Sequence, residues 1–327
     1  MVAGRDLVWF AFDQKGDAMS RKKPASIATV EPVFHSLDLD VPDAAACLDH
    51  LYEVYAEVPV VYGWCRQCFD LAYEEQMRSV RKPRTAPLEA FSQIYFEHPN
   101  CSGGPATFLH WLPRGLELAF FQGRLDPDLT EQLLRINIWL RPAHEQEALR
   151  ALFIRVARNW FEAGHTAPLQ LSEEPRTPRA RDNVSVQIIE ALLSLRIDPA
   201  ALFGWLASLG TAQAWSCLIE RLGDSCLLIV PSYYVFDAGL DDKHAKPLME
   251  AGVEAVDRIA RHALHTLFPA ERLTQLWLDW QQSDPLLAEE LAEAEPVIAA
   301  QASPLTDAEY RVEQAHIRAA LDLANAA

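Results

Sequence analysis

Proline and glycine punctuate this chain at short intervals, and between them apolar residues recur at helical spacing while strand-like alternation is nearly missing. Helices with one apolar stripe must bury it against other helices, so the pattern leaves little besides a helix-on-helix fold. Residues 43–57 set Ala46, Cys47, Leu51, Val54 and Tyr55 at helical spacing, and residues 65–80 place Cys65, Cys68, Leu71, Ala72 and Met77 near one face before Pro83. A helix is expected over 87–97 with Thr85 as its cap. The next runs through Phe108, Leu112, Leu116 and Leu118, where Pro113 should kink or split it.

Further helices are expected over 129–140, 144–163, 184–195, 199–209, 211–222, 246–268, 271–281 and 285–300. A final one starts at Thr306, which with Glu309 makes a capping box. The run 226–236 is β-branched and aromatic with Pro231 in its middle, so it reads as a short strand or a helix broken at the proline. The fold class is therefore all-α: an irregular, solenoid-like array of about a dozen antiparallel packed helices, with a small zinc-pinned N-terminal part. The chain divides into a flexible N-terminal segment (1–36), a helical subdomain with a Cys/His cluster (37–164), a Pro-rich loop or linker (165–183) and a second helical subdomain (184–327).

Charge narrows the function classes. Against 29 basic residues stand 46 acidic ones, a net charge of −17, so phosphate backbones are repelled and nucleic acid is excluded as a partner. A basic protein or peptide is the complementary partner. Two local basic runs, Arg78 to Arg84 and Arg176 to Arg181, read as solvated loops rather than anion sites. No apolar run approaches the roughly 20 residues of a membrane span, which excludes a membrane partner. The apolar stretch after Arg5 is bracketed by Asp6 and Asp13 without a cleavage site, so the expected location is the cytoplasm. Met19-Ser-Arg-Lys-Lys-Pro resembles an ordinary flexible bacterial N-terminus and offers a second candidate start.

The six cysteines are too few, in a cytoplasmic chain of 327 residues, for a disulfide framework. Cys47, Cys217 and Cys226 read as small buried apolar side chains. Cys65 and Cys68 form a Cys-x-x-Cys pair, and His98 and Cys101 a His-x-x-Cys pair beside Pro99 and Gly103. Two soft pairs at this spacing suit tetrahedral zinc held at about 2.3 Å from each sulfur, with His110 as the substitute for His98. Such a Zn2+ site is structural and adds folding free energy, so Cys68→Ser or Cys101→Ser should lower the melting temperature while Cys217→Ser should not.

Trp64 before the pair opens a second reading. Residues 58–62, then Trp64-Cys65-Arg66-Gln67-Cys68, then a helix, resemble the order of thioredoxin-like redox proteins, in which a helix N-terminus activates the first cysteine. That fold needs further strands, one carrying a cis proline, where this chain continues in helices. A wider resemblance rests on Cys65-x-x-Cys68, the helix bearing Glu74 and Glu75, Cys101-Ser-Gly-Gly104 and Phe108-Leu-His-Trp-Leu-Pro-Arg114-Gly-Leu-Glu117. Residues 60–120 look like a group of uncharacterised bacterial proteins with a Cys-x-x-Cys and a later His-Phe-Leu-Pro-Arg-x-Leu-Glu segment. The resemblance implies a helical fold and brings no assigned activity.

Phosphate loops, nucleophile elbows, His-Glu-x-x-His and dinucleotide fingerprints are missing from the sequence. His262 and His265 share a helix face as packing or dipole partners, and Glu289, Glu290, Glu293 and Glu295 read as a solvated face. The expected function is a non-enzymatic, acidic helical protein-interaction module of regulatory or immunity type with a structural zinc site. The alternatives are a thiol oxidoreductase using Cys65 and Cys68, or a metal-dependent hydrolase.

Overall fold

Side-chain caps mark where several of these helices begin, because the first amides of a helix have no partner inside it. The computed structural model describes residues 31–88, 99–122, 130–162, 178–236, 240–301 and 304–325. Asp43 accepts from the Ala46 amide to open α1 (Ala44–Val54), and Asp70 accepts from Tyr73 to open α2 (Leu71–Ser79). Then follow α3 (Gly104–Leu116), α4 (Thr130–Arg135), α5 (Ala143–Phe161) and α6 (Pro178–Ser194). Asp198 caps α7 (Pro199–Leu209), Thr211 caps α8 (Ala212–Gly223) and Asp241 caps α9 (Asp242–Leu267). The chain closes with α10 (Ala270–Ser283), α11 (Pro285–Gln301) and α12 (Asp307–Asp322). Thr306 and Glu309 make both halves of the capping box before α12.

The fold is all-α, and an isolated parallel bridge between His35 and Ile197 is the one β pairing among the described residues. Helices joined by short turns pack in pairs, α7 on α8 and α10 on α11, while α1 lies on α5 and α8 on α11. The 26-residue α9 is the central element, touching α6, α7 and α8 and packing most extensively on α12. Their approach is close at Gly252, where a Cβ would stand 2.8 Å from Ala320 Cβ and 2.9 Å from the Trp139 ring. Arg258 on α9 reaches Glu313 on α12 through two hydrogen bonds of 2.7 and 2.8 Å. Trp139 is itself buried, its indole N–H donating to the Ser194 carbonyl at 2.5 Å.

Val33–Ala327 is one compact unit. Residues 33–42 lie along it as a strap. His35 N–H donates to the Arg196 carbonyl, and the His35 carbonyl accepts in return from Asp198 N–H, both at 2.8 Å. Arg158 and Arg155 on α5 donate to the carbonyls of Leu39 and Pro42, and Arg196 to that of Val33. Residues 89–97 of the expected helix lie outside the described residues; Thr85 is the last residue of a short 3-10 turn over Pro83–Thr85.

Three other differences have physical causes. Pro113 neither splits nor ends α3; the helix runs through it and widens at Glu117–Phe121 into a π turn, closed by Gln122 N–H on the Glu117 carbonyl at 3.0 Å. The expected helix over 129–140 stops at Arg135, because Asn137 turns left-handed and its side-chain amide donates to the Val235 carbonyl at 2.7 Å. The ambiguous run 226–236 is neither strand nor helix. Its Leu227 and Leu228 amides converge on the buried Asp257 carboxylate at 2.5 and 3.1 Å, and Val235 N–H donates to the Arg135 carbonyl.

Asp257 is thus the anchor of that irregular segment, with Arg261 holding its second oxygen at 3.0 Å. Asp257→Ala leaves two buried amides without an acceptor and should cost about 2 to 4 kcal/mol of stability. Urea denaturation checks this. A midpoint within error of the parent protein would show that the segment does not depend on the carboxylate.

Candidate metal centre

Cys65, Cys68 and Cys101 come together, their sulfur atoms all within 4.8 Å of one another, although they stand on two separate loops. Tetrahedral zinc with three sulfurs at about 2.3 Å spaces those sulfurs roughly 3.8 Å apart, so the observed cluster matches a thiolate site. All three side chains are part-buried, and the six cysteines of the chain form no disulfide. Among the described residues the cluster holds three cysteines and no histidine. His98 lies outside the described residues. His110, the substitute, stands apart from the cluster: its Nδ1 hydrogen-bonds the Val58 carbonyl at 2.8 Å, and its ring packs edge-on to Trp111.

The first pair sits on a turn before α2, not on the helix, because Asp70 fixes the helix start two residues past Cys68. Cys68 and Phe69 amides fold back on the Cys65 carbonyl at 3.2 and 2.9 Å. The amides of Gln67, first, and of Cys68 point at the Cys65 sulfur. They hold its thiol below the ordinary value against the opposing effect of burial, and the Cys68 and Cys101 thiols add to them. N–H groups aimed at a sulfur favour the thiolate, the form that binds metal.

Cys101 arrives from the other side on the 3-10 turn Pro99–Ser102, and its carbonyl accepts from Cys65 N–H at 2.8 Å. This bond helps tie the two cysteine loops together. Behind it, Gly103 lies so near the strand-like segment 58–64 that a Cβ would be 2.2 Å from the Val61 carbonyl oxygen. Thr107 on α3 accepts from Val61 N–H at 2.8 Å and donates to the Val61 carbonyl at 3.2 Å. Val61, Gly103 and Thr107 thus form one seam that sets the distance between the loops.

Glu74 is the residue that sequence reasoning missed. It is 1 % exposed, while Leu71, expected on the buried face of the same helix, is 57 % exposed. The cysteine turn needs an anion beneath it: Gly63 N–H donates to Glu74 Oε1 at 2.6 Å, Arg66 pairs with Oε2, and Arg78 reaches Oε1 at 3.3 Å. Burial alone would raise this carboxyl, but the Gly63 amide and the Arg66 guanidinium overcome it and hold the group below the usual carboxylate range. Arg66 between the two cysteines, together with a glutamate facing back from the next helix turn, was the signal available in sequence. The hydrophobic period pointed elsewhere.

Trp64, which opened the redox reading, has a packing role. It is buried against Phe69 and Tyr73 at centroid distances of 5.1 and 6.0 Å, with its indole N–H on the Val61 carbonyl at 2.7 Å. Residues 58–64 pair with no strand, and helices follow, so the thioredoxin-like frame is not built among the described residues. In the segment that carried the bacterial resemblance, Arg114 and Glu117 form an ion pair at 3.1 Å. Arg114 also donates to the Ala86 carbonyl, and Glu117 accepts from Tyr52 on α1 at 2.7 Å. These polar residues lock α3 to its neighbours.

The remaining candidates fall into place as structure. Arg78 lies over the Tyr62 ring and pairs with Glu74, and Arg84 lies over Tyr52 and pairs with Asp49, so these two cations of the first basic run are engaged locally. The side chains of the second, at 176–181, lie outside the described residues. His262 Nδ1 accepts from Leu305 N–H at 2.9 Å, and His265 is buried, which makes both packing residues. Glu289, Glu290, Glu293 and Glu295 are exposed. Cys47 and Cys217 are buried as expected, but Cys226 is exposed, because the Asp257 carboxylate draws the following two amides inward. No helix of the described residues is long and apolar enough to cross a membrane. Comparison with protein-family models, curated proteins and solved structures gives no match.

Proposed function

We propose that the protein is a non-enzymatic, acidic helical protein-interaction module in which Cys65, Cys68 and Cys101 hold a structural zinc ion. The convergence of the three sulfurs from two loops carries the metal assignment. Thiolate-rich sets are the structural kind of zinc site, whereas catalytic zinc is bound mainly by imidazole and carboxylate with at most two thiolates, which weighs against the hydrolase alternative. When bound, the ion cross-links the turn before α2 to the turn before α3, and Glu74 and Arg66 hold the first of these from behind. His98 is the proposed fourth ligand. The net charge of −17 supports a basic protein or peptide as the partner in a regulatory or immunity-type role in the cytoplasm.

The thiol oxidoreductase reading keeps one observation in its favour, the amides that stabilise the Cys65 thiolate. Metal content and thiol reactivity of the purified protein separate the two. The zinc reading expects one tightly held zinc per chain, with the three clustered thiols unreactive until a chelator is added and exposed Cys226 reactive throughout. A metal-free protein whose Cys65 reacts fastest of all at neutral pH would replace it with the redox reading.

A further inference from the structure

The last turn of α9 ends against a partly open groove of about 550 Å3 between α10 and α11. Phe268, Leu273, Leu291 and Ile298 are buried around it, and the half-buried Trp277 forms one wall. A space of this size, lined by aromatic and aliphatic side chains with a few polar groups, is the usual form of a small-molecule site.

The polar groups set the chemistry of what fits. His265 lines the groove from the end of α9 and is 8 % exposed, yet its imidazole makes no hydrogen bond among the described residues. Burial, and after it the positive charge of Arg261, hold this imidazole below the usual histidine range. It is therefore uncharged at neutral pH, with one nitrogen to donate and one to accept. A buried polar group left without a partner is costly, and a ligand hydroxyl would remove that cost.

The neighbouring polar side chains leave that role to His265. Thr274 Oγ1 donates to the Ala270 carbonyl at 3.0 Å, and Arg272 donates to the Leu267 carbonyl at 2.8 Å with its guanidinium 4.7 Å from the Phe268 ring centre. Glu295, exposed at the rim, is the one charged residue among those that line the groove. A carboxylate ligand would meet its repulsion with no lining cation to offset it. The Phe268 and Trp277 rings suit a flat aromatic body.

We infer that this groove binds an uncharged aromatic molecule bearing one hydroxyl, its rings against Phe268 and Trp277 and its hydroxyl on the His265 imidazole. Neither the metal nor a protein partner is needed for such binding.

Equilibrium dialysis of the full chain at neutral pH against three probes tests this: naphthol, which is neutral and carries the hydroxyl, methylnaphthalene, which lacks it, and naphthoate, which is an anion. Naphthol should bind saturably, at least about fivefold tighter than methylnaphthalene and at least about tenfold tighter than naphthoate. His265→Leu should bring naphthol down to the affinity of methylnaphthalene, whose own binding stays within about twofold. Ala299→Trp puts a bulky ring at an exposed lining position and should weaken naphthol at least about tenfold without lowering the melting temperature.

Equal affinities for naphthol and methylnaphthalene, tighter binding of naphthoate, or naphthol binding that survives Ala299→Trp would overturn the inference. So would the lack of saturable naphthol binding up to about 1 mM. Should His265→Leu fail to fold, the three probes on the parent protein and the Ala299→Trp variant still decide.

Discussion

If the proposed site holds zinc, replacing Cys101 with serine should release it and lower the melting temperature by on the order of 5 to 10 °C, while Cys226→Ser leaves both unchanged. Serine is nearly the size of cysteine, so the substitution removes a soft ligand and little packing. Its consequence spreads because Cys101 joins two loops: its carbonyl holds the Cys65 amide, and its sulfur belongs to the cluster that closes the gap between α2 and α3. Cys65→Ser and Cys68→Ser should behave alike. The large core means that the loss is regional unfolding around the cysteine turns rather than collapse of the chain.

Cys226 is the right control, and Cys217 is not. The sequence reading expects Cys217→Ser to be nearly neutral, but this side chain is 3 % exposed on α8, and burial pushes its thiol up to about 12. A serine there buries a hydroxyl and should cost about 1 kcal/mol without affecting metal. Thermal denaturation with parallel metal analysis separates these cases. Equal small effects at positions 65, 68, 101 and 226, with no metal lost from any variant, would remove the case for a cluster site.

The second large effect belongs to Gly103→Ala. Gly103 and Gly104 both have left-handed backbones, φ of 96° and 85°, so an alanine at either incurs the conformational cost of about 1 to 2 kcal/mol. Only at 103 is there no room. The new methyl would stand 2.2 Å from the Val61 carbonyl oxygen and 2.7 Å from Thr107 Oγ1, whereas at 104 nothing lies within 4 Å. Backbone, not a flexible side chain, blocks the position, so the seam between segment 58–64 and α3 must open. Gly103→Ala should therefore cost at least about 3 kcal/mol, beyond the strain at 104, and weaken zinc binding by spreading the two cysteine loops. Urea midpoints and zinc competition with a chromogenic chelator measure both. Matching losses in the two alanine variants would contradict the seam.

Much of the architecture was legible because local chemistry and tertiary structure agree. Thr306 with Glu309, Asp198 before Pro199, Thr211 after Gly210 and Asp43 before α1 each satisfy amides that any helix must satisfy, so these four helix starts were legible, whereas those of α2, α6 and α9 lie several residues from the expected positions. The cysteine spacing likewise announced the three residues that meet. What could not be read depends on partners distant in sequence. Glu74 is buried because an amide at Gly63 and guanidiniums at Arg66 and Arg78 need it, which no hydrophobic period reports. Residues 226–236 take their course from Asp257, some thirty positions away, and from Asn137, nearly a hundred away. The same long-range bonding turned Cys226 outward and ended α4 early.

X-ray absorption at the zinc edge of the purified full-length protein tests the central claim most directly. Coordination by three sulfurs at about 2.3 Å plus one nitrogen, with one sulfur lost in Cys101→Ser, is the spectrum that a site built by Cys65, Cys68 and Cys101 predicts. A shell of nitrogen and oxygen alone, or three sulfurs still present in Cys101→Ser, would contradict it.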